Sequence, residues 1–278
     1  MRKLAALGLS AGLALSSWAV ARALGPRAAR AWPDSAAPLS APATALPAGF
    51  GTRRVYVDAG HGAPGNTGNK GAYCRDEQDF TVSLAEDLGA ALARTGHFEV
   101  ELSRTPGRLV PYAERVREAE AWPADVVISL HSDVRGRSEP WQPTPTESCP
   151  RSHQAPGFSV LWSDHGDAPL VARRLELSRA LALALERTGF LAYDGADYAP
   201  TYAPDVQQRG VFVDRHSTAE RVFVLWRPNV PSIIVETHNA LDDREARRWD
   251  EPETRAAFAA SVVAALGETL RGRGPDDH

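Results

Sequence analysis

The apolar positions of this chain switch between a period of two and a period near four, and each switch marks an element. Val55, Tyr56 and Val57 form a β-type run that reads as a strand, leaving through Asp58-Ala59-Gly60-His61-Gly62. Residues 63–71 are rich in Gly and Asn and read as an exposed loop able to approach a ligand. A helix opens at Glu77, carries Phe80, Leu84, Leu88 and Leu92 on one stripe, and stops at Gly96. Phe98, Val100 and Leu102 alternate with polar residues as a half-exposed strand, and Pro111 starts a helix that runs to Ala121. The unbroken apolar run 126–128 predicts a strand buried on both faces that ends at His131.

Residues 132–156 are Pro-rich and longer than an ordinary connection, which predicts an irregular rim or lid insertion. A strand over 158–162 and a helix begun by Asp167 and Pro169, carrying Leu175, Leu181 and Leu185 and closed by Gly189, come next. Residues 190–204 read as a surface loop with aromatic side chains available to a substrate. Short strands are expected over 211–213 and 222–226, then a strand from Pro231 into Glu236 and a last amphipathic helix over about 252–270. The alternation predicts an α/β fold. It would be a single three-layer domain, a twisted, mainly parallel or mixed sheet with helices on both faces and a metal site at the carboxyl ends of the strands.

Composition adds compartment and excludes a partner. The 278 residues are 43% hydrophobic and 24% charged, enough for one well-buried core. A net charge of -4 with no basic run argues against nucleic acid. Arg2 and Lys3 precede an apolar stretch ending in small residues, so residues 1–23 read as an export signal and the mature chain as exported, to the periplasm, cell wall or exterior. An uncleaved anchor is the alternative to removal of that leader, after which no stable membrane insertion is expected. Residues 24–50, crowded with Ala and Pro, read as a semi-rigid linker that buries no face. Residues 51–271 are then the catalytic domain and 272–278 a tail, and no internal repeat occurs.

Three strand ends offer metal-type side chains to one rim: His61, His131 and Glu236. Glu77 precedes Phe80 by three, on the inward face of a helix's first turn, where it is either a ligand or a capping acid. Catalytic zinc takes three ligands from His and carboxylate, and His61, Glu77 and His131 supply that set, leaving Glu236 as a general base and proton donor. His97, His153, His165, His216 and His278 lie in loops, turns or the tail and read as solvated. Cys74 and Cys149 are the only cysteines; export makes a disulfide the first reading, and two free thiols remain the other.

At these residues the chain resembles the zinc-dependent N-acetylmuramoyl-L-alanine amidases that cut bacterial peptidoglycan. The resemblance runs in order through Val55 to Gly62, Glu77-Gln78-Asp79, Arg104, the Tyr-x-x-Arg ending at Arg115, Ile128-Ser129-Leu130-His131, Gly157-Phe158 and Pro231 to Thr237, covering about residues 53–270. It implies Zn2+ on His61, Glu77 and His131, Glu236 as catalytic acid/base, and peptidoglycan as the partner; it names no activator. The family usually has Glu-Lys-Asp at 77–79, Asn at the position of Asp133, and Glu-Thr-Gly-Phe where this chain has Glu236-Thr237-His238-Asn239. Asp133 and His238, at these departures, and Arg115, within the match, are candidate substrate or auxiliary residues, with His238 either a second proton carrier or a rim histidine without a role. A different zinc hydrolase and a catalytically silent wall-binding protein are the competing functions.

Overall fold

The computed structural model describes residues 31–271, so the export signal, the first part of the linker, the tail and His278 lie outside the described residues. Nine strands are described: β1 (Arg53–Ala59), β2 (Phe98–Leu102), β3 (Val126–Asp133), β4 (Glu139–Thr144), β5 (Glu147–Arg151), β6 (Ser159–Trp162), β7 (Tyr202–Pro204), β8 (Val211–Asp214) and β9 (Ser232–Asn239). The helices are α1 (Glu77–Arg94), α2 (Tyr112–Ala121), α3 (Ala168–Thr188), α4 (Phe223–Trp226), α5 (Asp243–Trp249) and α6 (Pro252–Thr269).

Seven strands form one mixed sheet in the order β2-β1-β3-β9-β6-β8-β7. β2, β1, β3 and β9 run parallel, whereas β6 pairs antiparallel with β9 and β7 antiparallel with β8. Parallel neighbours need crossovers; α1 and α2 supply them among β1, β2 and β3, and α3 lies in the connection between the parallel strands β6 and β8. Successive strand residues face opposite sides, so β1, β3 and β9 feed two cores. Val57, Ile128 and Val235 meet Leu84, Leu88, Leu181 and Val262 of α1, α3 and α6. Tyr56, Val127 and Ile234 meet Ala119 of α2 and Val224 and Leu225 of α4 on the other side. The domain is therefore three layers, with both faces of its central strands buried, which explains their unbroken apolar sequence.

Four elements differ from their sequence-based expectation. The insertion 132–156 contains an antiparallel hairpin, β4 with β5. Residues 222–226 form the helical turn α4, because Val224 and Leu225 are buried beside β9 while Asp214 accepts from Val222 N at 3.0 Å. Residues 190–204 are a surface loop only in part: Asp194, Ala196, Asp197, Ala199 and Pro200 are exposed, but Phe190, Tyr193 and Tyr198 are buried and the segment ends in β7. The described part of the linker does bury a face. Trp32 sits against Phe190 and Trp249 and donates its indole N–H to Glu245, and Ser40 N donates to Thr188 O at 2.8 Å. One tryptophan can bury far more apolar surface than the surrounding Ala and Pro, so composition alone misses such an anchor. Among the described residues no helix is long and apolar enough to cross a membrane.

Candidate metal centre and active site

The turn after β1 is held by two buried arginines. Arg115 pairs with Asp58 at 2.9 Å and donates to the carbonyls of Ala59, His61 and Val110, while Arg104 donates to those of Ala59, Gly60 and Gln78. Burial alone would raise the Asp58 carboxyl, but Arg115 and the hydroxyls of Ser129 and Ser103 hold it below the usual range. Arg115, a candidate substrate contact, is only 1% exposed and serves the turn instead. Gly60 has no room for a side chain, since an added Cβ would lie 2.4 Å from His131 Nε2. His61 takes a left-handed backbone, φ 58°, uncommon for a residue with a side chain.

Glu77 is the first residue of α1 and lies between the two histidines. Its Oε2 is 3.1 Å from His61 Nε2 and its Oε1 3.1 Å from His131 Nδ1. Ser132 N donates to Oε1 at 2.9 Å, and Asn69 donates to Oε2 from Nδ2 at 2.7 Å and from its backbone N at 3.2 Å. Burial opposes ionisation of Glu77, yet the contacts to His131 and His61 outweigh it and hold the carboxyl far below its ordinary value. Burial likewise disfavours charge on both histidines, and the bonds to Glu77, with Asn66 beside His61 and the charge of Glu236 beside His131, more than reverse it. One ligand atom from each of the three residues lies within 4.8 Å of the others. Two imidazoles and one ionised carboxylate in so small a space fit a divalent zinc-type cation, with a coordination position left for solvent. His61 Nδ1 is set by Asn66 Oδ1 at 2.9 Å, which points Nε2 at the shared position.

Glu236 lies on β9, in register with His131 on one side and Ser159 on the other. Its Oε2 is buried and has no hydrogen-bond partner among the described residues. Loss of solvent, reinforced by the negative charges of Asp133 and Glu77, pushes its carboxyl up to about 8. Asp133 is partly exposed, with Oδ2 accepting from Arg135 Nε at 2.9 Å and from the Tyr198 hydroxyl at 2.7 Å.

His238 does not share the rim with Glu236. Beyond the His131↔Glu236 pair the next register pair is Asp133↔Asn239, so β9 spends three residues where β3 spends two. Such a bulge re-aims side chains. His238 is consequently buried, stacked on Trp249 and edge-on to Phe80, with burial driving its pKa down to about 3. A neutral core histidine is the result.

Cys74 and Cys149 form a disulfide with Cα atoms 5.3 Å apart, tying the loop before α1 to β5. His153 and His216, read as solvated, each bond a carboxylate, Asp243 and Asp214. His153, Asp242 and Asp243 also come together, but Asp242 is taken up by Arg244 and the start of α5. Sequence reasoning missed Asn69, Tyr198 and Arg135; the Asn in a Gly-rich loop just ahead of Glu77 was the available signal for the first.

Comparison with known proteins gives the family of the chain. A family model described as N-acetylmuramoyl-L-alanine amidase matches residues 55–268. The N-acetylmuramoyl-L-alanine amidase AmiC of Escherichia coli is 24% identical over 247 residues, 79% of this chain and 55% of the relative. AmiA of Escherichia coli K12, of the same description, is 25% identical over 239 residues, 78% of this chain and 75% of the relative. The chain spans about half the length of the first curated relatives it matches. Among solved structures, the amidase Ami1 of Mycobacterium smegmatis has the same fold, with a TM-score of 0.61 at 21% identity over 81% of this chain and 99% of that one. Since the family match runs from β1 into α6 and takes in every strand and helix that carries the site, the chain belongs to the N-acetylmuramoyl-L-alanine amidase family.

Proposed function

We propose that the protein is an exported zinc hydrolase that cuts the amide between the lactyl group of N-acetylmuramic acid and L-alanine in peptidoglycan. His61, Glu77 and His131 would hold the ion, which supplies Lewis acidity at a carbonyl and makes water a nucleophile near neutral pH. Glu236 would take a proton from the attacking water and return it to the departing alanine nitrogen. The observation that carries this reading is the placement of Glu236: a carboxylate with an unpartnered buried oxygen, in register with His131 and beside a converged His/Glu/His set. A base poised close to neutral pH is suited to both halves of such a reaction. Family membership supports the choice of bond, and the leader-like residues 1–23 together with the Cys74–Cys149 disulfide support export.

Digestion of purified peptidoglycan by the zinc-loaded protein tests the assignment. Release of intact stem peptides with a free L-alanine amine is expected, together with glycan strands stripped of peptide. Cuts within the stem peptide would make the protein a peptidase, and an absence of soluble fragments would make it a binding protein.

A further inference from the structure

The contacts to the Glu77 carboxylate come from outside its own helix. Glu77 is at the first position of α1, and Asp76 before it makes no side-chain cap. Orientation comes instead from Asn69, eight residues earlier. Its Nδ2 donates at 2.7 Å to Glu77 Oε2 and at 2.6 Å to Ser132 O. Both contacts are to oxygens that can only accept, so the NH2 end of the amide must face them. Ser132 directly follows His131, and its own N–H holds Glu77 Oε1 at 2.9 Å. The Asn69 amide thus fastens Glu77 to the backbone beside His131. The Asn69 backbone adds two more bonds to Glu77: its N donates to the side-chain Oε2 at 3.2 Å and its O accepts from the Glu77 backbone N at 2.9 Å. The same Oε2 lies 3.1 Å from His61 Nε2.

The loop that brings Asn69 there is itself anchored. An added Cβ at Gly68 would lie 2.7 Å from Glu77 Cβ, so the approach requires glycine. Ala72 N donates to Ala240 O at 2.8 Å, Trp141 Nε1 donates to Ala72 O at 2.6 Å, and Arg75 grips Asp250 through two bonds. The Cys74–Cys149 disulfide closes the loop against β5. A carboxamide on so constrained a segment has a fixed direction, which is what precise support of a ligand demands.

We propose that Asn69 is a positioning residue for the metal centre, setting Glu77 in its ligating orientation and thereby raising metal affinity. The proposal rests on the reading of His61, Glu77 and His131 as ligands. Outer partners of this kind are worth about 10–100-fold in metal affinity.

Zinc titration of the metal-free full chain against a chromophoric chelator tests it, with the metal-free melting temperature recorded in parallel. Asn69→Leu keeps the size of the side chain and removes its donors. Its zinc dissociation constant should rise about 10–100-fold, and its peptidoglycan turnover should recover as zinc is added. Lys70→Ala is the control, because Lys70 braces the same loop through Asp76 and Cys74 O without touching Glu77; it should bind zinc as the wild type does. If Asn69→Leu fails to fold, Asn69→Ser takes its place, since its hydroxyl is too short to span both acceptors and should give an intermediate loss. Wild-type affinity in the Asn69 variants overturns the proposal while leaving the metal site in place. An equal loss in Lys70→Ala overturns it as well, in favour of general loop order. A wild-type chain that binds no zinc overturns the ligand assignment itself.

Discussion

Glu77 and Glu236 are carboxylates on one rim of one sheet, and their surroundings make them opposites. Glu77 is fully buried and contacted by two imidazoles, two backbone N–H groups and one carboxamide, which hold it ionised. Glu236 has a buried oxygen with no partner and two negative neighbours, which hold its proton on to about pH 8. A saturated, permanently ionised carboxylate suits a cation; an unsaturated one near neutral pH suits a proton in transit. Environment, more than residue type, divides the labour.

The largest effect should come from emptying the saturated half. The His61→Ala/His131→Ala double variant should lose stoichiometric zinc, because Glu77 alone cannot hold the ion. Elemental analysis of purified protein checks this, and one zinc per chain in that variant would place the metal elsewhere. Arg115→Met comes next. It should cost about 3–5 kcal/mol by leaving Asp58 buried without its cation, read as a shift in urea midpoint. A loss below about 1 kcal/mol, as for an exposed pair, would show that the β1 turn does not depend on Arg115.

A third buried carboxylate sharpens the comparison with a smaller effect. Glu245 accepts from Trp32 Nε1, Gly157 N and Asn239 N, yet burial still pushes it up to about 7. Its folded-state pKa lies above the ordinary value of 4.5, so the folded chain keeps a proton that the unfolded chain releases. The stability this gives is full below about pH 4.5 and is lost as pH rises to about 7. Glu245→Gln should flatten the decline across that window, measured by denaturant unfolding of the metal-free protein; an unchanged profile would show that Glu245 ionises normally in the fold.

Legibility followed the same division. His61, Glu77 and His131 could be brought together from sequence because each stands within two residues of an end of a strongly patterned element, and β1, β3 and α1 formed where periodicity placed them. Around Glu236 the pattern misleads. His238 stands two residues beyond it and would share its face in a regular strand, but one extra residue in β9 sends it into the core. Tyr198 and Arg135 come from segments with no period, so nothing local announces that they meet Asp133 beneath the rim. The run 222–226 is too short for its β-branched and aromatic residues to decide between strand and helical turn; burial against β9 decided it.

The central claim is that one carboxylate holds the metal and the other moves protons. Glu236→Gln and Glu77→Gln, assayed together for bound zinc and for stem-peptide release, test it most directly. Glu236→Gln should retain one zinc per chain and a native fold while turnover falls about 10²–10⁴-fold at any zinc concentration. Glu77→Gln should bind zinc weakly and regain part of its activity as zinc is added. Loss of zinc from Glu236→Gln, or near-normal cleavage by it, would contradict the account.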